Sequence, residues 1–468
     1  MAATQSMFEK GTLVKWALSL AVPLAVFAAM PVDGTVVTKP MAMFLAITAW
    51  AVTVWATDII NEIAVGLALP VLYVVFCGVK QQAVYTPWLS EVPIIVIGGF
   101  ALGKILQDTG LGKRIGLTCV RAMGGSFVGA LWGLTLAVFI VAPLVPAVTG
   151  KAAIFCAIAI SLCEALDFKE KSREATAVLM AACLAVMSTK ICYLTGGADT
   201  VLGMGLVEKV TNTKTTWMEY AYHNFLPGTL YTVMSLLLVT FLLPSKVDRK
   251  TLQPVLEAKL KEMGPVTREQ KTAALLMLLT LVLLATDKLH GVAAGLVLIL
   301  ITFAAFLPGI NLLNGARFGK INFAPLFFIM GCMTIGSAGG ALKVTEWVAN
   351  MLLPYFHDMS SSSASATAYV FGAAVNFLLT PLAAITTMTS PLAELGLKLG
   401  MDPRMLYYSF AYGLDNIIFP YEYAVPLYFF STGYILFKDF VKVMAVRMVL
   451  AGVFVAFVAI PFWKLILE

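Results

Sequence analysis

The 468-residue chain is laid out as successive apolar runs, most as long as a bilayer is thick, separated by short polar breaks. Runs begin near Leu13, Ala42, Ala64, Val92, Phe127, Thr176, Asn224, Thr272, Gly291, Phe323, Ala366, Met405 and Val441. Hydrocarbon offers the backbone no hydrogen-bond partner, so a run of about 20 apolar residues must satisfy its own amides as an α-helix. Charge is too scarce for several soluble domains. The 32 basic and 26 acidic residues make up 12% of the chain, and 60% is hydrophobic, against roughly 25% charge in a soluble domain. A soluble enzyme, a nucleic-acid binder and a disordered hub are excluded. The expected fold class is an all-α polytopic membrane protein of about 11 spans.

The net charge of +6 reads as topology, because basic residues collect in connectors that stay in the cytoplasm. Segment 244–271 holds Lys246, Arg249, Lys250, Lys259, Lys261, Arg268 and Lys271 and is placed there. Lys113, Arg114 and Arg121 mark a second cytoplasmic connector, and residues 169–174 a third. The poorer loops 210–217 and 360–363 go to the other side. Residues 13–31 are read as a first uncleaved span rather than a signal peptide. Cys77, Cys119, Cys156, Cys163, Cys183, Cys192 and Cys332 have no metal-ligand spacing, and most sit in apolar runs. No disulfide, metal or other cofactor is expected.

Two stretches are too polar at their centres to be simple spans. Residues 127–166 hold Pro143, Pro146, Thr149, Gly150 and Lys151 mid-run, and both ends meet basic connectors. That pattern predicts a re-entrant hairpin of two half-helices. Residues 366–400 are predicted to break at Pro381 and again at Pro391, with Thr380, Thr386, Thr387, Thr389 and Ser390 around the breaks. Broken helices at membrane depth persist only where they line a cavity or are buried in protein. A matched pair points to the binding site of a secondary transporter. The halves do match: residues 97–110 align without a gap onto 330–343, with Gly98 on Gly331 and Gly103 on Gly336. The loop assignments put Lys113 inside and the region of Trp347 outside, which makes the repeat inverted.

Several blocks resemble the divalent anion/sodium symporter family, membrane transporters of di- and tricarboxylates and sulfate. Gly98-Gly99-Phe100-Ala101-Leu102 with Thr109-Gly110-Leu111-Gly112-Lys113-Arg114-Ile115 is similar to its glycine-rich span and amphipathic connector. Residues 260–271 resemble its loop between halves. Leu399-Gly400-Met401-Asp402-Pro403 and Phe430-Ser431-Thr432-Gly433-Tyr434 resemble the edges of its last interrupted span. The resemblance implies a multi-pass protein of the plasma membrane, the inner membrane in a bacterium. It also implies a homodimeric scaffold and a transport domain that moves as an elevator. Residues 1–126 and 272–358 would be scaffold, 127–243 (hairpin 127–166) and 359–468 (hairpin 366–400) transport domain, and 244–271 the loop between halves. The family's Ser-Asn-Thr hairpin tips read here as Ala147-Val148-Thr149 and Ala384-Ile385-Thr386. Its Thr-Pro-Pro-Asn segments read as Gly196-Gly197-Ala198-Asp199 and Tyr423-Ala424-Val425-Pro426. Much of the sodium-site pattern is therefore absent.

The changed positions carry the chemistry. Lys151 sits where a half-helix begins, and a helix N-terminus already offers amides and a positive dipole end to an anion. Placing a lysine mid-membrane costs roughly 2.5–3.5 kcal/mol. It can contact the anion, replace a sodium ion as a fixed positive charge, or pair with a buried carboxylate. Lys190, Asp199, Asp415 and Glu422 fall near the other discontinuities and suggest a compensated cluster. Static ion pairs and a titrating, proton-coupling carboxylate both remain open; they differ in whether the carboxylates are paired. Thr149, Gly150, Thr195, Thr386, Thr387 and Thr389 are candidate substrate contacts, though threonine also bonds its own helix carbonyls. Tyr193, Tyr421 and Tyr423 could line the cavity or form interfacial belts. Asp58 and Glu62 read as scaffold charges. Gly98-Gly99-Phe100 reads as close helix packing rather than a phosphate cradle.

A membrane enzyme would show clustered His, Cys or carboxylates, but His223, His290 and His357 are scattered. An anion channel fits paired hairpins less well than alternating access does. The expected function is carriage of a small organic anion, dicarboxylate ahead of sulfate, sulfonate or a monocarboxylate. Exchange or proton coupling is favoured, with sodium symport as the alternative. The expected partners are that anion, the bilayer and a second copy of the chain.

Overall fold

A computed structural model describes residues 10–34, 36–57, 59–124, 126–245, 249–356, 358–377 and 379–468. Asp58 and His357 lie outside the described residues, as does the side chain of Tyr421. Every regular element among them is helical. The first half runs α1 (Lys10–Ala29), α2 (Lys39–Thr57), α3 (Glu62–Cys77), α4 (Gln81–Tyr85), α5 (Glu91–Asp108), α6 (Leu111–Ala122), α7 (Phe127–Val141), α8 (Val148–Ala165), α9 (Arg173–Thr189), α10 (Ala198–Thr211) and α11 (Trp217–Leu242). A linker helix α12 (Arg249–Glu262) follows. The second half runs α13 (Arg268–Ala285), α14 (Asp287–His290), α15 (Ala294–Phe306), α16 (Gly315–Phe318), α17 (Ala324–Ala341), α18 (Val344–Phe356), α19 (Ser361–Asn376), α20 (Pro381–Lys398), α21 (Pro403–Leu414) and α22 (Ala424–Phe430), then α23 (Phe437–Phe454) and α24 (Ile460–Leu467), joined through a π turn.

Both halves follow one plan. A glycine-rich helix (α5, α17) leads to a shorter helix (α6, α18) and a helix–break–helix unit (α7/α8, α19/α20). An interrupted helix (α9/α10, α21/α22) and a long helix (α11, α23/α24) complete each half. Among the described residues, nine helical stretches are long and apolar enough to cross a membrane, and α3 and α15 are shorter apolar helices.

The aligned glycines do the same work in each half. α5 packs on α15, and α17 packs on α3. A Cβ on Gly98 would sit 2.6 Å from Leu298 Cβ, and one on Gly331 would sit 2.8 Å from Gly66 Cα. The adjacent face of α5 presents Gly99 to the ring of Pro146, in the break between α7 and α8. The glycine block is thus a close-packing device. At the centre lies α9, where every residue from Ala175 to Thr189 is buried. By contrast, few α1 side chains are buried, as a helix facing lipid allows.

Polar residues set where helices begin. Ser126, Ser172, Thr216, Thr267 and Ser360 each accept a hydrogen bond from the backbone N–H three residues on, satisfying amides that have no intrahelical partner. The second broken stretch differs from expectation. α19 ends at Asn376 and α20 begins at Pro381, and Pro391 lies inside a continuous α20. Pro381 occupies the first turn, where a missing N–H costs nothing, behind the capping residue Thr380. Pro391 removes one internal bond from a buried helix that runs on unbroken on both sides. All seven cysteines are buried free thiols.

α19 and α21 cross backbone to backbone. A Cβ on Gly372 would lie 2.5 Å from the Phe410 carbonyl oxygen, and one on Gly413 would strike the Tyr369 carbonyl. Gly372→Ala or Gly413→Ala is expected to cost about 1–3 kcal/mol by overpacking. The loss should appear as a lowered thermal midpoint of the purified protein in detergent. Gly340→Ala, where a Cβ meets nothing within 4 Å, should leave the midpoint unchanged.

Candidate functional site

The two helix breaks of the first half are tied together. α7 ends in a tight turn at Ala142–Leu144, and α8 restarts at Val148. α9 ends in tight turns at Lys190–Cys192 and Leu194–Gly196 before α10 restarts. Gly196 allows this path, because a Cβ there would collide with the Lys190 carbonyl. The Thr195 hydroxyl donates to the Pro143 carbonyl at 2.5 Å and accepts from Trp217 Nε1 at 2.9 Å. Ala198 N–H donates to the Pro146 carbonyl at 3.0 Å. The fully buried Lys151 donates its ammonium to the Gly196 carbonyl. In the second half the corresponding tie is Asn376 Nδ2 donating to the Asn416 carbonyl at 2.9 Å.

A chain of buried ions links the halves. Lys190 Nζ lies 2.5 Å from Asp199 Oδ2 and 3.8 Å from Asp415 Oδ1, and 4.9 Å above the Tyr423 ring. Arg447 on α23, 1% exposed, grips the other oxygen of Asp415 at 2.5 Å and its backbone carbonyl at 2.9 Å. The same guanidinium donates to Ser188 on α9 and Ser235 on α11, while the Tyr231 hydroxyl donates to Asp415 at 3.2 Å. Asp199 and Asp415 are therefore both paired. Removing one partner of such a pair strands the other charge in a low-dielectric interior.

Several candidates fall elsewhere. Glu422 does not join the cluster: its carboxylate accepts from the N–H groups of Ile418 and Phe419, both at 3.1 Å, and so holds its own loop. Lys151 meets a carbonyl rather than a carboxylate. Thr386 and Thr387 bond back to Leu382 and Ala383 and border a largely apolar cavity against α1, α2 and α18. Thr389 is buried with an unpartnered hydroxyl. Tyr193 stacks on Trp217, centroids 5.7 Å apart. Glu62 is half-buried at the start of α3.

Thr149 and Gly150 alone among the proposed contacts line a cavity of about 230 Å³ beside the α7/α8 break, whose other walls carry Lys104, Gln107, Lys320 and Asn322. Lys104 is paired with Asp108 at 2.6 Å. Arg447 was not anticipated. Its signal was available, since it is a lone arginine within the last apolar run, the same anomaly that singles out Lys151.

The profile of the sodium:sulfate symporter transmembrane region matches residues 10–468, and the chain belongs to that family of membrane transporters. It is a multi-pass membrane protein. Among its relatives is the inner membrane protein YbhI of Escherichia coli, 25% identical over 73% of this chain and 74% of that one. The chloroplastic dicarboxylate transporter 1 of Spinacia oleracea is 30% identical over 47% of this chain and 41% of its own length. The citrate/succinate antiporter of E. coli is 22% identical over 75% and 74%. The crystal structure of the Alcanivorax borkumensis YdaH transporter shares the fold, with a TM-score of 0.52 at 12% identity, over 96% of this chain and 99% of that one.

Breaking the Asp415–Arg447 pair from one side, as Asp415→Asn or Arg447→Met, is expected to destabilise the protein by about 3–5 kcal/mol. The double variant should recover part of that loss, because neither charge is then stranded. Thermal unfolding of the three variants in detergent checks it.

Proposed function

We propose that the protein is a secondary carrier of a small organic anion, a dicarboxylate first, that exchanges one anion for another without sodium. The observation that carries this reading is the charge balance at the breaks. Lys190 and Arg447 are paired with Asp199 and Asp415, whereas the fully buried Lys151 meets a carbonyl and has no carboxylate partner among the described residues. An unmatched buried charge is costly to move through hydrocarbon, and a bound anion of one net charge, such as a dicarboxylate carrying one proton, offsets it. A carrier built this way crosses readily only when loaded, which is exchange. The pairing of both aspartates argues against either as a transported-proton site.

In this reading the anion binds in the cavity at Thr149 and Gly150. The first amides of α8 face it there, with Lys151 behind them. At about 30 Å³ per water, a cavity of about 230 Å³ holds roughly eight waters or one small dicarboxylate. The α7/α8 and α19/α20 units act as re-entrant hairpins of an inverted repeat. Residues 127–243 and 359–468 move as an elevator against a scaffold of 1–126 and 272–358, with 244–271 as the cytoplasmic linker. Two copies pair through the scaffold in the plasma membrane, the inner membrane in a bacterium. The likeness to a citrate/succinate antiporter agrees with both substrate class and exchange.

One observation favours sodium symport as a second reading. The oxygens Asn376 Oδ1, Asp415 Oδ1 and Asn416 Oδ1 are buried near the second-half breaks without a hydrogen-bond donor, and such oxygens suit a co-transported cation.

Purified protein in liposomes separates these readings. Uptake of labelled succinate is expected to rise about tenfold or more with internal succinate, and to ignore sodium and proton gradients. Strict sodium dependence would establish the second reading instead. Lys151→Met is expected to weaken succinate binding by about tenfold or more, the loss of ~1.4 kcal/mol. Unchanged binding would remove Lys151 from the site.

A further inference from the structure

A second cavity, of about 430 Å³, lies between α6 and α12, lined by Arg114, Thr118 and Arg121 from α6 and by Glu257 and Lys261 from α12. Arg114 and Arg121 are two turns apart on one face of α6. Arg114 is oriented rather than neutralised. Its Nη2 donates to the carbonyls of Met263, Gly264 and Pro265 at 3.1, 2.9 and 3.4 Å, and its buried Nε has no partner. Arg121 and Lys261 are exposed and form no ion pair among the described residues. Three cations thus face a single carboxylate, Glu257, with none of them bound to it.

The location narrows what could answer that charge. α6 connects α5 to α7, and α12 connects α11 to α13, so the cavity lies between two connectors at the ends of four apolar helices. Both connectors are rich in lysine and arginine, which places them on the cytoplasmic face. That leaflet carries the anionic lipids, and basic pockets at its surface attract their headgroups. Guanidinium groups match phosphate oxygens in a bidentate fork, and the Thr118 hydroxyl adds a donor. Half-buried Leu260 and exposed Val266 complete the lining with apolar surface that suits a glycerol backbone better than a bare inorganic ion.

We infer that this cavity binds the phosphate group of an anionic phospholipid of the cytoplasmic leaflet, bridging the α6 connector to the linker helix. The bridge adds to the Arg114 contacts and to the bond from Gln270 Nε2 to the Thr109 carbonyl at 2.9 Å, which hold the same two connectors.

Full-length protein in a neutral detergent is titrated with phosphatidylglycerol, phosphatidylcholine and inorganic phosphate, and bound lipid is counted by native mass spectrometry. Phosphatidylglycerol is expected to bind in preference to the other two. Arg121→Ala with Lys261→Ala should weaken it about 30-fold, while Arg121→Lys with Lys261→Arg should retain it. Glu257→Gln should tighten it. Both mutated cations are exposed, so folding is not at stake, and an unchanged melting temperature of the double variant checks that. Equal phosphatidylglycerol binding by wild type and the double alanine variant overturns the proposal. So does equal binding of phosphatidylcholine, or displacement of the lipid by inorganic phosphate at matching concentration.

Discussion

Unwound backbone inside an apolar protein must find partners, because a buried carbonyl or amide left bare costs a substantial part of a domain's net stability. Around residues 190–197 and 415–423 the helices stop, and polar side chains meet the groups they expose. Lys151 serves Gly196, Arg447 serves the Asp415 carbonyl, and Asn376 serves Asn416. Glu422 serves two amides of its own loop, and Thr195 ties one break to the other. Some of these partners are ions, so the backbone requirement brings a charge requirement with it. Lys190 and Arg447 therefore sit against Asp199 and Asp415 rather than anywhere else along their helices.

The two halves answer the same problem with different chemistry. In the first, an ammonium from the helix–break–helix unit reaches across to the interrupted helix. In the second, a carboxamide does so, and the positive charge arrives from α23, the long helix after the interrupted one. Near the second-half breaks Asn376 Oδ1, Asp415 Oδ1 and Asn416 Oδ1 remain without donors, whereas at the first-half breaks Thr195, Trp217 and Lys151 tie the exposed groups together. A common backbone plan thus holds two unlike electrostatic environments. Any account of coupling has to treat them separately.

Much of the architecture was readable from residues alone, because a bilayer leaves apolar runs few options and capping residues mark their starts. The match of Gly98 to Gly331 was readable for a sharper reason: both are needed at close crossings, where a side chain has no room. The charged site was half readable. Lysine and aspartate in apolar runs are conspicuous, but which ion meets which depends on how helices far apart in sequence are brought together. Arg447 and Asp415 come from different helices, and Glu422, only seven positions from Asp415, turns to its own loop instead. Proline misled at position 391, since burial within a continuous helix tolerates one lost bond. Thr386 and Thr387 donate to carbonyls of the preceding turn, a contact within one helix that their sequence alone leaves open beside a role toward a ligand.

The exchange of partners between the glycine helices bears on how the protein is made. α5 packs on α15 and α17 on α3, each through a bare patch of backbone, at Gly98 and at the facing pair Gly331 and Gly66. When the first half leaves the ribosome, the groove at Gly98 has no occupant, and it stays open until α12, α13 and finally α15 have been synthesised. The halves therefore cannot mature one after the other like beads. Assembly of the shared wall is a late event, and until then the nascent chain exposes two helix faces shaped for each other's neighbours.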